Sequence, residues 1–176
     1  MDDTDPHIIA GMRKLCGVMG DLVEEHQRLL AALTDKREAF TLADDGTMGE
    51  CIAREAAIIE RIEGLDRARR QAAVGLALRL GIKPKEGDVT VAMLVERLPE
   101  RAGREQLRGQ STVLRGLVQE VRKETSLIKE VGEALLTHVR GLAQRIRQAM
   151  SQTGVYGRNG RVAEAAYGVR TVDLRS

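Results

Sequence analysis

Residues 107–150 read LRGQSTVLRGLVQEVRKETSLIKEVGEALLTHVRGLAQRIRQAM. Apolar residues recur at Leu107, Leu114, Leu117, Val121, Ile128, Val131, Leu135, Leu142 and Ile146, in steps that are mostly three, four or seven. That spacing keeps one seam of an α-helix dry. At about 1.5 Å per residue the stretch makes a rod of roughly 65 Å. A rod of that length cannot bury its seam by folding on itself, so it requires partner helices. The pattern stops at Ser151-Gln-Thr-Gly154, ahead of Val155-Tyr-Gly-Arg-Asn-Gly160, which has no helical period.

Two partners lie upstream. Ile8, Met12, Leu15, Met19, Leu22, His26, Leu29, Leu33, Lys36 and Phe40 step 4-3-4-3 without a break. Asp5 can cap this helix, with Pro6 at its first position. Gly11, Gly17 and Gly20 each cost it up to about 1 kcal/mol against alanine, which only tertiary packing can offset. Ala43-Asp-Asp-Gly46 signals a turn. Thr47 followed by Glu50 reads as a capping box opening a second helix. Its seam is Cys51, Ile58, Ile62, Leu65, Ala72 and Leu76, flanked by Ile52 and Ile59, and Gly81 closes it. A short turn between long helices makes an antiparallel hairpin. A polar loop follows, then a short helix capped by Asp88 or Thr90 that stops before Pro99. The third long helix carries polar interruptions in its seam at Glu124 and His138.

The expected fold is all-α: an elongated antiparallel hairpin or bundle of three long helices and one short one. Its helices cover about 7–41, 47–80, 90–98 and 101–150, so residues 1–150 form the bundle and 151–176 a flexible tail. Composition agrees. The 176 residues are 43% apolar and 31% charged, enough for one folded domain. Aromatics are only 2%, namely Phe40, Tyr156 and Tyr167, which suits a bundle of aliphatic seams better than a compact globule. No stretch approaches 18 uninterrupted apolar residues, and the first residues are acidic rather than those of a secretory leader, so a cytoplasmic protein without membrane insertion is expected.

The net charge of +2 hides an asymmetry. Residues 1–66 hold 7 basic and 15 acidic side chains, hence −8, whereas 67–176 hold 21 and 11, hence +10. Pairing of the basic part with the acidic first helix is the favoured explanation, ahead of an acidic protein partner and of nucleic acid. Arg67, Arg69, Arg70, Arg97, Arg101, Arg104 and Arg108 have no aromatic stacking platform among them, which argues against nucleic acid.

Little reads as chemistry. In a hairpin turning near Asp44, Cys16 and Cys51 lie roughly 30 Å apart along the rod, so they cannot form a disulfide and are expected as buried thiols. His26 and His138 fall on different helices without a Glu-x-x-His pattern, a weak metal signal. The glycines after residue 153 lack the Gly-Lys-Ser/Thr ending of a phosphate loop. No nucleophile motif is present, and neither an enzyme nor a cofactor is expected.

Three long helices, the first two a hairpin, followed by Tyr156-Gly157-Arg158-Asn159-Gly160, resemble the FlgN family of flagellar type III export chaperones. The end of the second helix, Leu65-x-x-x-Arg69-Arg70, is a weaker echo. The resemblance implies a cytoplasmic chaperone without enzymatic activity that binds the C-terminal ends of the two hook–filament junction proteins (FlgK and FlgL type). It would prevent their premature assembly and deliver them to the export gate. It implies that Tyr156, with Gly157 and Gly160, docks on the gate's large cytoplasmic domain (FlhA type). It places guest binding on the last helix, in a groove lined by Ile128, Val131, Leu135, Val139, Leu142 and Ile146. The alternative is an oligomeric coiled-coil scaffold without a chaperone role, and pairing with a second copy of the chain stays open.

Overall fold

The computed structural model describes residues 5–82, 89–98 and 103–152. All regular structure among them is helical: α1 (Pro6–Leu42), α2 (Asp45–Arg79), α3 (Val91–Arg97) and α4 (Arg104–Gln152). Three long helices and one short one are what the sequence predicts. Ser151 and Gln152 of the expected tail still belong to α4, and its remainder, including Tyr156, Gly157 and Gly160, lies outside the described residues, as does Arg101 at the expected start of the last helix. The chain divides into two compact units, Met1–Val131 and Gly132–Ser176.

In the first unit α1 and α2 form the antiparallel hairpin. Asp5 accepts the His7 N–H at 2.8 Å, and Pro6 occupies the first turn. The 4-3-4-3 ladder becomes the core: Ile8, Met12, Leu15, Met19, Leu22, Leu29 and Leu33 are all buried. Leu15, Met19 and Leu22 pack with Ala73, Leu76 and Ala77 of α2, Leu94 of α3 and Leu107 of α4. A second cluster joins Leu29, Ala32 and Leu33 to Ile58, with Val121 and Ile128 of α4 against it. Cys16 and Cys51 are buried free thiols, and burial raises the pKa of Cys16.

The hairpin turn differs from its expected form. The cap of α2 is Asp44, not Thr47. Asp44 Oδ1 accepts the Thr47 N–H at 3.1 Å, while the Thr47 hydroxyl donates to Oδ2 at 2.6 Å. A carboxylate three residues upstream reaches the orphan amides of the first turn and leaves Thr47 as its donor. Those Thr47 hydrogen bonds hold the Asp44 carboxyl below the usual carboxylate range. The chain reverses at Ala43, which is left-handed at φ 53° and lets Asp44 N–H reach Ala39 O at 3.0 Å. The same six-to-one closure ends α2, with Gly81 left-handed and Ile82 N–H on Ala77 O at 2.9 Å.

Residues 104–131 of α4 bind this body more loosely. The backbones of α1 and α2 run within 8 Å of each other, whereas no Cα of this segment comes that near another helix. Long side chains bridge the gap. Gln110 Nε2 donates to Cys16 O at 3.1 Å across the space left by Gly20, and the Arg37 guanidinium pairs with Glu124. Gly103, left-handed at φ 73°, leads into α4 where an added Cβ would lie 2.9 Å from the Met12 methyl.

Arg69, Arg70 and Arg108 depart from the expected pairing of the basic part with the acidic first helix. Arg69 and Arg70 pair with Asp66, and Arg108 with Glu105, each within its own helix. The α1–α4 bridge runs the other way, from Arg37 to Glu124. Acidic α1 finds its cations on α2 and on itself: Glu25, almost fully buried, accepts from Arg61 at 3.0 Å and from Arg28. Burial opposes ionisation of Glu25, but the two guanidiniums outweigh it and lower its pKa. Glu25 is thus neutralised within the hairpin, whereas Arg37 draws its counter-charge from α4.

Candidate functional site

From Gly132 onward α4 places a wide apolar face in water. On a helix turning 100° per residue, Leu135, Leu136, Val139, Leu142, Ile146 and Met150 fall within an arc of about 120°. Their side chains are 44–59% exposed. Scattered exposed leucines are ordinary, but six large apolar residues on one arc constitute a contiguous patch. By the same rotation Arg145 flanks one side of the arc, and Arg140 and Arg147 the other. The surface is an apolar strip with a cationic border on both edges.

The six residues expected to line a guest groove divide between the two units. Ile128 is half-buried against the Leu29–Ile58 cluster. Val131 is 36% exposed at the end of the first unit. Leu135, Val139, Leu142 and Ile146 share the exposed arc, which is a single helix face. Leu136 and Met150 belong to that arc and were missed, because a strict seam follows one line of residues and a 120° face needs the positions beside it. His138 is exposed on the same helix, and His26 is half-buried with its Nδ1 donating to Leu22 O at 2.7 Å. Among the described residues no group of three or more His, Cys, Asp or Glu could hold a metal ion.

A family model described as FlgN protein matches residues 12–164, from the second turn of α1 to beyond α4. The chain belongs to the FlgN family. No curated protein and no solved structure matches it. As a FlgN-family member it is, in general terms, a flagellar export chaperone with flagellar proteins as partners, and the family is not known for enzymatic activity. None of its described helices is long and apolar enough to cross a membrane.

Proposed function

We propose that the chain is a cytoplasmic chaperone for the hook–filament junction proteins, and that it holds their C-terminal ends on the exposed arc of α4. The observation that carries this reading is the strip itself: an apolar face of about four and a half turns, bordered by Arg140, Arg145 and Arg147. An amphipathic guest helix can lay its apolar side along such a face. Leucine and methionine adapt to more than one guest. Acidic flanks on the guest would meet the border arginines, setting orientation and speeding encounter. The same border counts against a permanent coiled-coil scaffold, because cations on both edges oppose each other in any pairing of two identical strips.

Delivery to the export gate is assigned to the box Tyr156, Gly157 and Gly160. Tyrosine is a frequent interface anchor, and flanking glycines let a backbone approach a surface closely.

Binding of a labelled junction-protein C-terminal segment tests the first part. Leu135→Asp with Leu142→Asp should abolish binding while the melting temperature stays unchanged, and retained binding would overturn the assignment. Tyr156→Ala should leave guest binding intact and weaken association of the loaded chaperone with the gate's cytoplasmic domain. An unchanged gate affinity would remove the docking role.

A further inference from the structure

A second surface lies wholly within the first unit. Because α4 stands off from the hairpin, a cleft of about 470 Å³ opens between them. Its apolar floor includes Met19, Leu22, Ile62, Val91, Leu114 and Val118. A neighbouring hollow of about 240 Å³ between α3 and α4 shares Val91, Ser111 and Arg115 with it. The two make one channel following α4 from Arg108 to Arg122, a length of roughly 21 Å at 1.5 Å per residue.

The channel's charge is unequal, with Arg69, Arg108, Arg115 and Arg122 in its lining against Asp66 and Glu96. Arg108, Arg115 and Arg122 line it at seven-residue spacing, which stacks them on one flank of α4. Arg108 pairs with Glu105, but Arg115 and Arg122 have no ion-pair partner among the described residues. On the opposite wall Asp66 is already engaged by Arg69 and Arg70. Glu96 lies at the α3 end of the channel, and the lining as a whole keeps an excess of two guanidiniums over carboxylates along the apolar floor.

We propose that this channel is a second docking groove, for an acidic amphipathic helix of another protein. The helix would be about four turns long, with carboxylates at seven-residue spacing opposite Arg115 and Arg122. Its apolar side fills the space that α4 leaves open against Met19, Leu22 and Ile62, and its acidic flank supplies the missing counter-charges. The chain's own residues 153–176 are a poor match, since their four arginines outnumber one glutamate and one aspartate and give the same sign as the channel. This groove is separate from the strip beyond Gly132 and does not depend on the role proposed for that strip.

The test uses the full chain carrying Leu135→Asp and Leu142→Asp, so that the exposed strip is closed to apolar guests. The probe is a fluorescein-labelled peptide of three heptads with leucine at the seam and glutamate on the flanks, followed by anisotropy. It should bind, weaken with added salt, and lose about tenfold in affinity when Arg115→Glu and Arg122→Glu are added. A matched peptide with lysine flanks should bind much more weakly. Circular dichroism of the charge-reversed protein confirms that it is folded, as expected for exposed side chains. No binding in the strip-closed background, equal binding after charge reversal, or equal binding of the lysine peptide each overturns the proposal. So does displacement of the probe by a synthetic peptide of residues 153–176, or a dimer by light scattering that the probe dissociates, because the groove would then hold this chain's own segment or a second copy. Binding of the junction-protein segment to the chain with its strip intact is measured separately, so failure of either surface leaves the other's result readable.

Discussion

Residues 104–131 and 132–152 belong to one helix and carry one apolar period, yet they meet opposite fates. Leu107 is fully buried and Leu114, Val121 and Ile128 are half-buried, while Leu142 and Ile146 are 44% and 59% exposed. The amino-acid types do not differ between the two segments. What differs is the supply of partners: Leu15, Met19, Leu33 and Ile58 of the hairpin pack against the first segment. An apolar seam is a requirement for a partner, and within the first unit the hairpin meets it.

The largest expected effects separate the two segments outright. Leu107→Ala should cost about 3 kcal/mol, since it opens a cavity in a closed core. Leu142→Ala should cost under about 0.5 kcal/mol, as for other exposed positions. Urea unfolding measures both, and similar values would mean that the arc is covered in solution and the comparison fails. Next comes the charge held inside the hairpin. Arg61→Ala should destabilise by about 2 kcal/mol by weakening the hydrogen bonding of a buried carboxylate. Because the folded pKa of Glu25 is lowered, its contribution is present above the unfolded value of about 4.3 and fades as pH falls through the folded value. The stability gap between the native chain and Glu25→Gln should therefore narrow on acidification, and a gap that widens would reverse the assignment.

Glycines sharpen the contrast further. Gly103→Ala forces a side chain into a left-handed backbone and against Met12, and should destabilise by about 1–2 kcal/mol. Gly141→Ala meets nothing within 4 Å on a helical stretch and should stabilise by up to about 1 kcal/mol, read as added helicity by circular dichroism. A loss at Gly141 would indicate a close neighbour in solution.

The hairpin was legible because its residues obey local rules. The ladder from Ile8 to Phe40 names its own buried face, and Asp5 and Gly81 mark ends that the backbone hydrogen bonds bear out. Thr47 misled because Asp44 is the stronger cap and lies close by. The charge balance misled for Arg69 and Arg70 because net charge carries no geometry: they find Asp66 on the adjacent turn before any distant helix. The exposed arc was legible as apolar but not as uncovered, since periodicity states which residues share a face and not what lies opposite. Of the channel's three heptad-spaced arginines the sequence reading singled out only Arg108, since the spacing of Arg115 and Arg122 acquires meaning only once α4 is seen to stand away from the hairpin.

The tight reversal at Ala43 and Asp44 also prescribes an order of assembly. Pairs across the hairpin lie at growing sequence separation: Lys36 with Glu55 at 19 residues, Glu25 with Arg61 at 36, and His7 with Arg79 at 72. Each closes a loop already shortened by the one before, so the entropy of ordering is met in small steps rather than as one long closure. The hairpin can thus zip from its turn outward and be nearly complete before α4 is added. Substitutions near the turn should then slow folding more than those near Pro6, as φ-values would report, and a flat profile would deny the zipper. On that route the hairpin is a template whose surface is finished first, and α4 docks onto it last.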